Sequence, residues 1–224
     1  MPVTVDVASL WAAETNCYVV APDTSGPAIV IDAPPDPGGI GALLAANDMT
    51  PVALLVTHGH IDHVGGAGEV ARSQPIDLVY LHPDDDFMSR HPSEVMQRLF
   101  DVQLSPAEEA PLLPPTDTLD LAGGQVIELL GLSFRVLHTP GHSPGHCCFH
   151  LDGEGLLFSG DQLFAGSIGR TDLPGGSFDT LMTSMQEQIL PLPGDTEVLP
   201  GHGPATTLAH ERRTNPFLTQ LIED

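Results

Sequence analysis

The chain has 224 residues, too many for one domain of about 150 and too few for two, so one large domain or two tightly packed halves is expected. Apolar residues make up 41% and charged residues 17%, a globular balance that excludes a disordered chain. Thirty carboxylates face seven basic side chains, all arginine, and the formal charge of −23 argues against nucleic-acid partners and against docking on a membrane of anionic lipid.

From the N-terminus, residues 3–10, 15–20 and 28–32 read as short strands broken by Pro, Gly and Asp turns. Residues 37–47 carry Ile40, Leu43 and Leu44 at helical spacing. The apolar run 52–56 suits a strand covered on both faces; a helix over 64–73 and a strand over 78–81 follow. Residues 83–116 hold Asp84, Asp85 and Asp86 in a row, with Pro92, Pro106, Pro111, Pro114 and Pro115. They read as one or two short helices among loops, a peripheral decoration in preference to a flap over a site. Strands are expected again at 119–121, 126–130, 134–137, 147–151 and 156–158, separated by glycine turns. Leu181, Met185 and Ile189 share one helix face, a strand covers 197–199, and a last helix spans about 207–213 before Asn215-Pro216. Two halves, about 1–116 and 117–224, would pack sheet on sheet with helices outside.

Directly after the run 52–56 comes Thr57-His58-Gly59-His60-Ile61-Asp62-His63. Residues two apart in an extended chain share a face, so His58 and His60 aim at one point. A turn into the following helix brings Asp62 and His63 beside that point. Three imidazoles and a carboxylate within six residues form a donor set for a first-row metal. One turn cannot complete two metal shells, and three more candidates stand at strand ends beside glycine. These are His142 after Pro140-Gly141, Asp161 after Gly160, and His202 between Gly201 and Gly203. Glycine there lets the backbone turn sharply and approach closely.

In this order the motifs resemble the metallo-β-lactamase fold hydrolases along nearly the whole chain. The resemblance implies one α+β domain, a four-layer αββα sandwich. It implies that His58, His60 and His142 hold one divalent metal, that Asp62, His63 and His202 hold a second, and that Asp161 bridges the two. Asp62 and Asp161 are the expected catalytic carboxylates, and zinc the expected metal, with iron and manganese suited to the same donors. The stretches Ser167-Ile168-Gly169-Arg170-Thr171-Asp172-Leu173-Pro174-Gly175-Gly176 and Glu211-Arg212-Arg213-Thr214-Asn215-Pro216-Phe217-Leu218 look like the short glyoxalase II type, the hydroxyacylglutathione hydrolases. That likeness implies a small-molecule thioester substrate, S-2-hydroxyacyl-glutathione or a similar thiol conjugate, attacked by a hydroxide held between the metals. Arg170 is expected to meet a substrate carboxylate; its alternative is a salt bridge to Asp172.

Two other activities fit much of the pattern. Persulfide dioxygenases share the Gly169–Asp172 stretch but hold a single iron with two His and one Asp, and they typically differ at His146 and at Pro200–Gly203. Another ester or lactone hydrolase of the same fold is the third reading. His146 suits either an orienting hydrogen bond to a ligand or packing; His138 reads as structural, and His82, His91, His150 and His210 as surface or loop residues. Cys17, Cys147 and Cys148 lie in strand patterns as small hydrophobes; their odd count fits a reducing cytoplasm. With no run of about 20 apolar residues and no basic leader, a cytoplasmic protein is expected.

Overall fold

The computed structural model describes residues 3–100, 103–110, 112–115 and 117–223. Its first sheet takes six strands in chain order: β1 (Thr4–Leu10), β2 (Thr15–Ala21), β3 (Gly26–Ile31), β4 (Met49–Leu55), β5 (Leu78–Leu81) and β6 (Leu119–Asp120). β1 to β3 are antiparallel, and β3 to β6 run parallel. Parallel neighbours need crossovers, which helices supply. Helix α1 (Pro37–Ala46) opens on Asp36, whose side chain accepts the Gly39 amide, with proline at its first position. α2 (Ile61–Val64) and α3 (Ala67–Ser73) link β4 to β5, and the segment beyond carries α4 (Asp86–Arg90), α5 (Pro92–Phe100) and α6 (Pro106–Glu109).

The second sheet is built from β7 (Val126–Leu129), β8 (Leu132–His138), β9 (Cys147–Leu151) and β10 (Leu156–Gly160). A small hairpin, β11 (Leu163–Phe164) and β12 (Ser167–Ile168), and helix α7 (Phe178–Ser184) follow. Beyond them, β13 (Glu197–Pro200) pairs parallel with β10, and β14 (Thr206–Thr207) closes the edge. Helices α8 (Leu208–Thr214) and α9 (Pro216–Glu223) end the described chain.

Alternation along the strands sorts the apolar residues into three layers. Val19, Val30 and Leu54 face Ile40, Leu44 and Val70 of α1 and α3. Val20, Ile29 and Leu55 point the other way, against Phe134, Phe149 and Phe158 of the second sheet. Each of those buried rings contributes about 1.5–3 kcal/mol. Leu137, Cys148 and Leu157 leave the far face of that sheet and meet Leu181, Met185 and Ile189. The result is the expected αββα order. No helix among the described residues is long and apolar enough to cross a membrane.

Several elements depart from expectation. The helix expected over 64–73 is split at Gly65-Gly66, because the Gly66 amide turns out to bond Ala33 O at 2.8 Å. Asn215-Pro216 starts a helix where a stop was expected: Pro216 opens α9, and Asn215 Oδ1 accepts the Phe217 amide at 3.0 Å. Leu218 of that helix is fully buried. The helix carrying Leu181, Met185 and Ile189 loosens into one wide turn over Met185–Ile189, and all three side chains stay buried. Between 83 and 116 there are more short helices than expected, and Pro111 lies outside the described residues.

Candidate metal centre

The ends of β4, β8, β10 and β13 open on one side of the sandwich, so His58, His142, Asp161 and His202 emerge at neighbouring points. His58 Nε2 and His60 Nδ1 stand 3.1 and 2.8 Å from His142 Nε2. Beside them, His202 Nε2 lies 3.2 Å from Asp62 Oδ2 and 3.3 Å from His63 Nε2. Asp161 spans both groups: Oδ1 is 3.3 Å from His63 Nε2, and Oδ2 is 3.4 Å from His142 Nε2 and 3.6 Å from His202 Nε2. All seven residues expected as ligands therefore converge.

The far nitrogens of the rings are already engaged. His58 Nδ1 meets Thr57 Oγ1 at 3.0 Å, His63 Nδ1 meets Asp32 Oδ2 at 2.8 Å, and His142 Nδ1 meets the Arg170 carbonyl at 2.7 Å. Outward bonds of this kind fix the tautomer and aim the other nitrogen of metal-binding histidines. Asp32 is itself held by the Thr57 amide and hydroxyl. His146 accepts the Asp161 amide at 3.0 Å, so it holds the backbone of an expected ligand in addition to packing.

The charge pattern suits a cation. Burial, with His63 and His142 nearby, pushes the His58 pKa down, and burial and His142 hold His60 at about 3. Both rings are neutral at pH 7, as ligation requires. Burial also works downward on His63, but Asp62, Asp161 and Asp32 outweigh it and raise its pKa. Asp161 Oδ1 and His60 Nε2 are buried with no hydrogen-bond partner. An imidazole–carboxylate set with an orphaned carboxylate oxygen at its centre fits one or two first-row divalent ions. Gly201 permits this crowding, since a Cβ there would stand 2.6 Å from His63 Cε1.

The model of the metallo-β-lactamase superfamily matches residues 11–202, which include all seven convergent side chains. The chain belongs to that superfamily. Among its metallo-β-lactamase relatives, hydroxyacylglutathione hydrolase GloC of Haemophilus influenzae is 36% identical over 218 residues, 96% of this chain and 97% of that one. The solved structure of BLEG-1, described as a B3 metallo-β-lactamase, matches with a TM-score of 0.85 at 37% identity, over 96% of this chain and 100% of that one. The di-iron-bound form of TTHA1623 matches with a TM-score of 0.81 at 37% identity, over 95% and 100%.

Around this metallo-β-lactamase centre lie residues that sequence reasoning missed or misplaced. A cavity of about 520 Å³ opens over the donors, and Val95 and Met96 of α5 form part of its wall. Through α5, the described part of the segment 83–116 therefore contributes to the site and is no mere decoration. Asp85, from its acidic run, is fully buried and accepts the Gly59 amide, the Ser143 hydroxyl and the Gly145 amide. His82 stands in a loop, as expected, but is buried there, its ring stacked on that of His138 at 4.2 Å. Arg170 lines the cavity, but its guanidinium grips Asp172 through two hydrogen bonds of 2.7 and 2.8 Å. All three cysteines are buried, as expected of small hydrophobes, and burial pushes the thiols of Cys17 and Cys147 up and that of Cys148 to about 12.

Proposed function

We propose that the protein is a two-metal hydrolase that cleaves a thioester. The observation that carries this reading is the position of Asp161, within 3.4 Å of a nitrogen from each of the two donor groups, with one oxygen toward each. His58, His60 and His142 would hold one ion, Asp62, His63 and His202 the other, with Asp161 between. Zinc is the proposed metal, with iron or manganese accepted by the same donors. When bound, such a pair supplies Lewis acidity and brings the pKa of water from about 15.7 toward 7.

The chain's own groups do the rest. Asp62 and Asp161 would offset the cationic charge, and a hydrogen bond from the nucleophile to Asp62 would aim its lone pair at the carbonyl. Asp62 is steadied by the Thr15 hydroxyl at 3.3 Å. Asp32, Thr57 and the Arg170 carbonyl keep the imidazoles from swinging as charge moves. A thiol leaves as thiolate, so the site needs no general acid on the leaving side. The name of the GloC relative supports the thioester reading.

The deciding experiment measures metal per chain together with thioester hydrolysis and with oxygen uptake on glutathione persulfide. Two ions per chain, hydrolysis that ends on chelation, and no oxygen uptake are expected. One iron per chain with oxygen uptake would replace this reading with the dioxygenase.

A further inference from the structure

The walls of the cavity say what kind of substrate reaches the metal centre. Beyond Ile61 in the donor turn itself, four separate segments bring apolar side chains to it: Trp11 from the β1–β2 turn, Val95 and Met96 from α5, Phe164 and Ile168 from the β11–β12 hairpin, and Leu173 from the loop before α7. Apart from the proposed ligands, Ser167 and Arg170 are the polar side chains among the described lining residues. Arg170 is already ion-paired, because Asp172 takes the Nε and Nη2 edge of its guanidinium. The chain as a whole carries −23. A glutathione conjugate, with two carboxylates, would enter a strongly anionic field and find no unpaired positive side chain among the described lining residues.

Trp11 adds an independent observation. Its backbone sits at φ +62°, in the left-handed region that a bulky residue rarely adopts. The turn is held there by the Glu14 amide on Trp11 O at 3.2 Å and by the Ser9 hydroxyl on Glu14 O at 2.9 Å. The next residues anchor it to the ligand loop, since Thr15 pairs with His202 and the Asn16 amide bonds Gly201 O at 2.8 Å. Strain of this kind collects where a side chain has to be aimed. The side chain carried here is an indole, which lines the same cavity as Phe164, whose ring lies 5.9 Å from that of His202.

We infer that the preferred substrates are uncharged, with a medium-length apolar acyl group that lies between Trp11 and Phe164 while its carbonyl faces the metal centre. The inference rests on the hydrolase reading above and narrows its substrate class. A cavity of about 520 Å³ is within the roughly 300–1,000 Å³ of small-molecule sites, so the chain and the reacting carbonyl fit together.

The test uses the metal-replete protein and one acyl series, acetyl to decanoyl, in three forms: thioesters of the neutral thiol N-acetylcysteamine, the matching oxygen esters, and the free carboxylates as calorimetric ligands. Each methylene is expected to raise kcat/KM and tighten Kd by about fourfold until the cavity is full. Acyl-glutathiones of equal acyl length should be cleaved at least tenfold less efficiently than the neutral thioesters. Trp11→Ala and Phe164→Ala should each lower the octanoyl-to-acetyl ratio roughly tenfold or more, with metal content unchanged. Flat series in both rate and binding overturn the inference, as does a preference for acyl-glutathione that Arg170→Ala removes. Rising oxygen-ester rates and carboxylate affinities with inert thioesters would sink the thioester reading alone. Should no ester be cleaved, the carboxylate affinities decide by themselves.

Discussion

Removing the Asp85 carboxylate should loosen one half of the metal centre while leaving the fold in place. Its Oδ2 accepts the Gly59 amide at 2.9 Å and the Ser143 hydroxyl at 2.6 Å, and its Oδ1 accepts the Gly145 amide at 2.7 Å. Gly59 separates His58 from His60, and Ser143 follows His142. One side chain thus clamps together the two loops that supply the three-histidine group. Burial pushes its carboxyl above the ordinary range, and the three donors pull it back only part of the way. The clamp is therefore costly to bury, and its benefit is placement more than stability.

Asp85→Asn removes the buried charge but forces a donor onto a donor. With Nδ2 in the place of Oδ2 it faces the Gly59 amide; flipped, it faces the Gly145 amide. One unpaired buried N–H costs about 1–3 kcal/mol, and relief from burying the ion offsets part of it, so a net loss of about 1–2 kcal/mol is expected. Asp85→Ala strands three donors and leaves a void, for about 3–5 kcal/mol, or roughly 6–20 °C in Tm for a chain of this size. In both variants the three-histidine group should lose about 10- to 100-fold in metal affinity. Titration with a chelator should then strip one ion well before the other. The reasoning fails if Asp85→Ala costs under about 1 kcal/mol, or if Asp85→Asn releases both ions together at wild-type chelator concentration.

Asp161→Ala should lose more than one ion per chain by elemental analysis, because its oxygens face both donor groups; loss of a single ion would refute the bridge. Gly201→Ala should cut metal affinity and hydrolysis together while far-ultraviolet circular dichroism stays native, since the new methyl would stand 2.6 Å from His63 Cε1. Replacing Cys17, Cys147 and Cys148 one at a time by Ser should leave turnover per bound metal unchanged, whatever it does to Tm. A variant that keeps its metal and loses turnover would reveal a thiol in the chemistry.

The parts of the molecule legible in the sequence are those where one local pattern decides the outcome. The apolar run 52–56 suits a strand covered on both faces, which β4 bears out, and His58, His60, Asp62 and His63 follow it within one turn. Glycine beside His142, Asp161 and His202 marked the other ligand loops for the same local reason, close approach of backbone. Asp85 was hidden because Asp84, Asp85 and Asp86 look alike in sequence. Asp84 and Asp86 keep solvent access, and only packing of the turn at Pro83–Asp85 against Gly145 buries the middle one. Asp32 was hidden differently: it reads as the last residue of a strand, and its bond to His63 joins positions 31 residues apart. Trp11 sits in a hairpin turn whose left-handed backbone nothing in its residue type foretells.

These hidden residues share a logic. The convergent donors stand on loops, and a loop left to itself would not hold donor nitrogens about 3 Å apart against their mutual crowding. Each ligand loop is therefore tied to an element that is rigid for its own reasons. Asp32 caps the end of a central strand, Asp85 ends a turn wedged under two loops, and Thr15 and Asn16 come from a strand of the opposite sheet. That last tie joins the two sheets at His202 and links the turn that carries Trp11 to the second donor group. An acyl group gripped by Trp11 is thereby held in register with the donors, and positioning of that kind lowers the barrier without any new chemical group. It follows that weakening the Asn16 anchor should harm long acyl substrates more than short ones. Asn16→Ala removes its side-chain bonds to Pro200 O and Gly203 O, each 2.9 Å, and leaves the backbone pairing to Gly201. If acetyl and octanoyl thioesters lose the same factor in kcat/KM, the coupling of indole to metal centre is wrong.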